Sequence, residues 1–240
     1  MTASSSAHPD LWHRYGTSRR TDDENRGVAG RFHWDWYQRA GPGAELLGNV
    51  AGRTVVDLGS GNGRLAAHVA WTLAPRRVIG VDASPAATER AHARYGHVPR
   101  LHPVHADAAA CLQRHPASID TAYSVFGAVD FTDPRILLPA TAQALRPGGL
   151  LVISTLGHYR DGSPPEPDVR PVRIPVRTAD GATATLARWV LGVPVWERQL
   201  TRAGLAVESV NTLRDPGGGC GPPMDTVILS ARRPARPAQL

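Results

Sequence analysis

The sequence predicts an α/β protein built on a doubly wound, mostly parallel sheet, and three observations carry that expectation. From Arg53 onward, short β-branched apolar runs alternate with segments whose apolar residues recur at helical spacing, joined by short links. The first run, Thr54-Val55-Val56-Asp57-Leu58, opens straight into Gly59-Ser60-Gly61-Asn62-Gly63-Arg64 and then into a helical pattern. The last two runs read as an antiparallel pair that closes the sheet.

Taken in order, residues 1–30 are polar, and a frayed start is expected. Six of the chain's fourteen aromatic residues (Trp12, Tyr15, Phe32, Trp34, Trp36 and Tyr37) fall in its first 37 positions. A segment so aromatic, yet too polar for a core of its own, is expected to dock over the sheet or over a ligand cavity. Gly41-Pro42-Gly43 breaks the chain before a short helix at 44–48. A strand at 53–58 leads into a helix at 62–73, whose Leu65, Val69 and Leu73 share a face. The strand at 77–82 runs to Ser84, a helix N-cap, with Pro85 in the first helical position and the helix continuing to Tyr95. Further strands are expected at 101–105, 118–125 and 150–155, with helices at 108–113 and 134–145 and a turn at Arg146-Pro147-Gly148-Gly149. Residues 156–192 are Pro-rich and contain a hairpin, 172–176 and 183–188, turning at Ala179-Asp180-Gly181. A helix at 194–203 and strands at 205–212 and 225–231, linked by a Gly/Pro loop around Cys220, complete the pattern. The expected organisation is a 1–48 aromatic lid segment, a 49–232 ligand-binding domain carrying a lid insertion at 156–192, and a 233–240 tail.

At 240 residues and 42% hydrophobic content, one well-cored domain is expected. No apolar run approaches the ~20 residues of a membrane span, and the first ten residues do not read as a secretory signal. Two cysteines, Cys111 and Cys220, make no framework and sit in no metal-ligand spacing, so no metal is expected and a reduced, cytoplasmic setting fits. The net charge is +6 and the pI about 10.1, which raises nucleic acid as a partner. All 27 basic residues are arginine, spread thinly and without a stripe. That pattern reads as coding bias in a GC-rich bacterial genome rather than as a nucleic-acid surface.

The glycine loop has company downstream. D-x-G-x-G-x-G at 57–63 departs from the dinucleotide pattern, because Arg64 stands where the third glycine would fall. Val78-Ile79-Gly80-Val81-Asp82-Ala83-Ser84 ends in an acid roughly 20 residues past the loop, where a carboxylate accepts from ribose hydroxyls. His105-Ala106-Asp107-Ala108, Ile119 to Phe126 and Leu145 to Val152 follow at strand ends or turns. Together these segments resemble the motifs of the class I S-adenosylmethionine (SAM)-dependent methyltransferases over about residues 50–155. The resemblance implies a Rossmann-like, seven-stranded sheet with an antiparallel C-terminal hairpin, and SAM as cofactor with S-adenosylhomocysteine (SAH) as product. It also implies site roles. Asp57 would anchor the loop and the methionine amino group, with Gly59, Ser60, Gly61, Asn62 and Gly63 forming the loop. Asp82 with Ala83 would hold the ribose, and Asp107 with the Ala108 amide the adenine. Ser124 and Phe126 would lie beside the methyl donor.

Methyl transfer from a sulfonium mainly needs alignment and exclusion of water, with a base only where the nucleophile carries a proton. His158, after the fifth strand, is the first candidate for that base, with His13, Tyr15 and His33 as rivals. Tyr15, Trp34, Trp36, Tyr37 and Tyr159 are candidate walls of the acceptor pocket, and Asp130 either lines it or caps the next helix. The loop after the fourth strand holds Val125-Phe126-Gly127-Ala128, not the Asn/Asp-Pro-Pro-aromatic motif of methyltransferases acting on DNA bases. The expectation is therefore methyl transfer to a small-molecule acceptor in bacterial specialised metabolism. An RNA methyltransferase and a protein that binds SAM without transferring methyl remain alternatives, and a homodimer stays open.

Overall fold

The computed structural model describes residues 11–12, 27–178, 180–217 and 221–235. Seven strands form the main sheet: β1 (Thr54–Leu58), β2 (Arg77–Asp82), β3 (Leu101–His105), β4 (Ile119–Val125), β5 (Leu145–Leu156), β8 (Ala206–Leu213) and β9 (Thr226–Arg232). Their order is β3-β2-β1-β4-β5-β9-β8; the first five run parallel, and β9 pairs antiparallel with both neighbours. A separate two-stranded sheet joins β6 (Val172–Arg177) and β7 (Thr183–Arg188). The helices are α1 (Arg64–Thr72), α2 (Pro85–Tyr95), α3 (Ala108–Gln113), the single turn α4 (Ala128–Phe131), α5 (Pro134–Ala144) and α6 (Val193–Arg202), after a 3-10 turn at Ala44–Leu47.

Alternation along the central strands divides the core in two. Val55, Tyr123, Val152 and Ile228 face α1, α2 and the aromatic segment, while Val56, Ala122, Leu151 and Leu229 face α3, α5 and α6. Side chains of successive strand residues point to opposite faces, so a sheet covered on both sides must be apolar at both parities. Local signals fix the helix starts: Ser84 Oγ accepts from Ala87 N at α2, and Asp107 and Asp133 cap α3 and α5 in the same way.

The sequence reading meets corrections at two places. The 146–149 turn is part of β5, which pairs with β4 at Leu145, slips register, and resumes at Leu150. The loop expected after β4 contains α4. The order of strands places a switch point between β1 and β4, where connections leave to opposite sides and open a crevice at the carboxyl ends. Both the glycine loop and α4 stand there.

Candidate active site

The glycine loop is held by backbone contacts before any ligand is considered. Gly59 N and Ser60 N both donate to Val81 O, at 2.9 and 3.0 Å, and Gly63 N donates to Ser60 O at 3.0 Å. All three glycines have positive φ, at 83°, 56° and 79°, a region that L side chains enter at a cost. Their surroundings differ. A Cβ at Gly59 would stand 2.3 Å from Ala128 N, and one at Gly127 would stand 2.3 Å from Leu58 O. Backbone therefore lies on backbone where the loop meets α4. A Cβ at Gly63 would meet Ala91 Cβ at 2.9 Å, whereas Gly61 has nothing within 4 Å. Gly61 is the position of the loop whose missing side chain leaves open space.

Asp82 closes the crevice from the β2 side. Its Oδ2 accepts from Gly61 N at 2.7 Å and its Oδ1 from Ser84 N at 2.8 Å, fixing the carboxylate beside the loop. Asp107 is exposed, and its Oδ1 accepts from Ala110 N at 2.8 Å; Ala108 follows as the first residue of α3. Asn62 Oδ1 lies 3.4 Å from Arg64 N, and the Arg64 guanidinium donates to Gln38 Oε1 of the aromatic segment.

Asp57 lies at the floor, 3% exposed. Burial pushes its carboxyl up to about 7; the neighbouring Tyr123 phenol works the other way, and the nearby Asp82 charge adds to the rise. The Tyr123 hydroxyl is in turn pushed well above the ordinary phenol range by burial and by Asp57. An isolated acid in this setting is half neutral at physiological pH, and a cation placed beside it would restore the carboxylate.

Several site residues expected from the sequence fall elsewhere. Trp34 is fully buried, packs 5.0 Å from Phe32 and 6.2 Å from Tyr123, and donates its indole N–H to Gly43 O at 2.8 Å. It belongs to the core, not to a pocket wall, because the segment docks this ring onto the sheet. Ser124 is also fully buried; its hydroxyl donates to Leu58 O at 2.8 Å and so ties β4 to the glycine loop rather than facing the crevice. Asp130 neither lines an open pocket nor caps α5. Asp133 is the cap, and Asp130 is fully buried with its Oδ2 3.0 Å from Arg188 Nη2.

His158, the candidate base, has both ring nitrogens engaged. Its Nδ1 lies 2.7 Å from Tyr159 O, so that nitrogen must carry the hydrogen, and its Nε2 accepts from Asp225 N at 3.2 Å. Both ring nitrogens are committed to backbone, and the imidazole pins β5 to the loop before β9. Tyr159 donates to Glu166 Oε1 at 3.1 Å; burial and that carboxylate push its phenol up to about 12, against the pull of Arg170 and Arg188. His33 is half-buried beside Phe32 and Trp34 in sequence, while His13 and Tyr15 lie outside the described residues.

What does gather at the carboxyl edge is an apolar cluster. Leu156, Val190 and Met224 are buried there, with Trp36, Tyr37, Phe126 and Tyr159 packed against them. Trp36 meets Phe126 edge-on at 5.0 Å and 89°, and its backbone N–H donates to Thr226 Oγ1 at 3.1 Å. Tyr37 donates to Pro222 O at 2.7 Å, tying the aromatic segment to the β8–β9 loop. Phe126 itself holds φ of 47°, a strained backbone for an aromatic residue, directly after the last residue of β4. Arg188 escaped the sequence reading. Its signal was a lone charge beside the apolar run Trp189-Val190-Leu191, in a hairpin of the expected lid insertion.

The crevice at the switch point, with a glycine loop and an acid at the end of the second strand, defines an α/β protein of the class I methyltransferase architecture. Residues 55–149 match the methyltransferase domain family. Residues 55–149 thus carry a methyltransferase domain, and the fold is that of the class I SAM-dependent methyltransferases. It is 38% identical over 119 residues to a trans-aconitate 2-methyltransferase of Methylobacterium radiotolerans, covering 48% of this chain and 44% of that protein. An O-methyltransferase of Penicillium expansum, cnsE, is 33% identical over 112 residues, 46% of this chain and 40% of its own length. The matches thus span about half or less of these relatives. Among solved structures, a SAM-dependent methyltransferase from Mesorhizobium loti superposes with a TM-score of 0.57 at 26% identity, over 78% of this chain and 94% of the other. A Burkholderia thailandensis N1-methyltransferase solved with SAH bound gives 0.54 at 21% identity, over 77% and 72%. The residues present suit SAM, the cofactor of this class: the space over Gly61 admits a ligand against backbone, and buried Asp57 wants a cation.

Proposed function

We propose that this chain transfers a methyl group from SAM to a small-molecule acceptor, with oxygen the acceptor atom favoured by the O-methyltransferases among its relatives. The observation that carries this reading is the contrast among the three glycines: two are demanded by packing, and Gly61 alone opens to the crevice beside the Asp82 carboxylate. When bound, SAM supplies a methyl group already attached to a good leaving group. The remaining work falls to the protein.

In this reading Asp57 takes the ligand's ammonium and becomes fully ionised. Gly59, Ser60, Gly61, Asn62 and Gly63 form the loop, Asp82 and Ala83 receive the ribose, and Asp107 with Ala108 hold the adenine. Ser124 fixes the loop from behind, and Phe126 walls the reacting end. Trp36, Tyr37 and Tyr159 exclude water from the acceptor site and hold the acceptor in line, which is where most of the acceleration of such a displacement comes from. His158 serves as a structural link, so an acceptor that ionises by itself, such as a carboxylic acid or an acidic phenol, needs no base from the chain.

We place the protein in the bacterial cytoplasm, in specialised metabolism; no helix among the described residues is long and apolar enough to cross a membrane. The test is incubation with methyl-labelled SAM and a panel of small carboxylic acids and phenols, reading SAH formed. Acceptor-dependent SAH supports the reading. Tight SAH binding with no turnover on any acceptor would favour binding without transfer, and turnover on RNA alone would move the acceptor class.

A further inference from the structure

We infer that Arg188 is the anchor for a carboxylate carried by the acceptor, so that the acceptor site takes a flat, unsaturated or aromatic carboxylic acid. The inference rests on the methyltransferase reading above and names the substrate class of that same site.

Burial singles out this arginine. In the other ion pairs among the described residues, the arginine side chain keeps 41–67% exposure; Arg188 keeps 9%, and its partner Asp130 none. A guanidinium is taken out of water only where something compensates it. The compensation is incomplete. One bond, Nη2 to Oδ2 at 3.0 Å, joins the pair. Arg188 Nε is buried with no hydrogen-bond partner, while Asp130 has the Thr155 hydroxyl beside it. A pair built to tie the hairpin down would gain most from two parallel bonds. Here a donor of the fork remains unpaired, and a donor left buried without a partner is costly.

Position gives that donor a use. The guanidinium carbon lies 5.3 Å from the Trp36 ring and 5.1 Å from the Phe131 ring. Trp36 also packs edge-on against Phe126, so the cation stands one ring away from the crevice. Rings beside the guanidinium favour bonding in its plane and offer flat apolar surfaces alongside. A planar carboxylic acid matches both: its carboxylate takes the open donors of the fork, and its conjugated body lies along the aromatic residues. Asp130 holds the guanidinium in orientation. Burial raises its carboxyl above the ordinary range, against the opposing pull of Arg188 and of the Thr155 hydroxyl.

The experiment is calorimetric titration of the full chain saturated with SAH, using trans-aconitate, cinnamate and, as the uncharged counterpart, methyl cinnamate. The SAH titration that precedes it reports on the methyltransferase reading alone, and its failure would overturn both. Expected for the wild type is binding of at least one of the two acids, at least tenfold tighter than the ester. Arg188→Met should lower acid affinity at least tenfold while SAH affinity stays within twofold, and Arg188→Lys should restore part of the loss. Asp130→Asn combined with Arg188→Met removes both charges if the single variant fails to fold. Equal binding of acid and ester, undiminished acid binding by Arg188→Met, or no acid binding by the wild type would each overturn the inference. A purely structural arginine would lower stability without changing the preference for acid over ester.

Discussion

Replacing Asp57 with Asn should make the ligand-free protein more stable and the protein a poorer binder of SAH. The Asp57 carboxyl sits at about 7 in the fold against 3.8 as the ordinary value. A raised carboxyl means that the folded state holds a proton that the unfolded chain has released, so stability falls as pH climbs through that interval. Well below pH 3.8 both states are protonated and the burial of Asp57 carries no titration cost. By pH 5 the cost is on the order of 1.7 kcal/mol, and by pH 8 on the order of 4 kcal/mol, taking 1.36 kcal/mol per unit. Asparagine has no such charge to desolvate. The gap in stability between Asp57→Asn and wild type should therefore widen by roughly 2–3 kcal/mol between pH 5 and pH 8, or by several degrees in Tm for a chain of this size. The assay is thermal unfolding of both ligand-free proteins at the two pH values, followed by SAH titration at pH 8, where the variant should bind at least tenfold more weakly. An equal gap at pH 5 and pH 8, or a variant less stable than wild type at pH 8, would refute the reasoning.

Other expectations follow from the same geometry. Gly59→Ala should destabilise the fold by more than about 3 kcal/mol, since its Cβ would meet Ala128 N at 2.3 Å and adds left-handed strain; Gly61→Ala should cost about 1 kcal/mol of stability yet lose SAH affinity tenfold or more, and denaturant melts beside calorimetry separate the two. His158→Ala should keep turnover and its pH profile while lowering stability modestly, because the ring bonds only to backbone; a lost acidic limb in the pH–rate curve would contradict this. Trp34→Ala should cost about 3–5 kcal/mol by emptying the core, whereas Trp36→Ala should leave Tm nearly intact and raise KM for the acceptor.

The strands and most helices were legible because each rests on signals local in sequence: period-2 or 3.6 apolar patterns, the Ser84-Pro85 start, and glycines at turns. The cofactor crevice was legible for the same reason, since each contributing strand ends in its own short motif. What the sequence hid was partnership across the fold. Trp34 and Trp36 are two residues apart and look alike in the chain, yet one is core and the other borders the apolar cluster at the carboxyl edge, a difference set by which face of the docked segment meets the sheet. His158 reads as a catalytic imidazole until Asp225, 67 positions away, is seen to donate to it. Arg188 and Asp130 are 58 positions apart, and nothing local marks either as buried. The α4 turn is four residues long, too short for a periodic signal, and it forms because Gly59 and Gly127 allow two backbones to touch.

Calorimetric titration of the wild-type protein with SAH, and separately with NAD, addresses the central claim most directly. Micromolar binding of SAH without binding of NAD, lost on replacing Asp82 with Ala, is the expected result. Binding of neither, or SAH affinity unchanged by Asp82→Ala, would contradict the assignment of the crevice and every role derived from it.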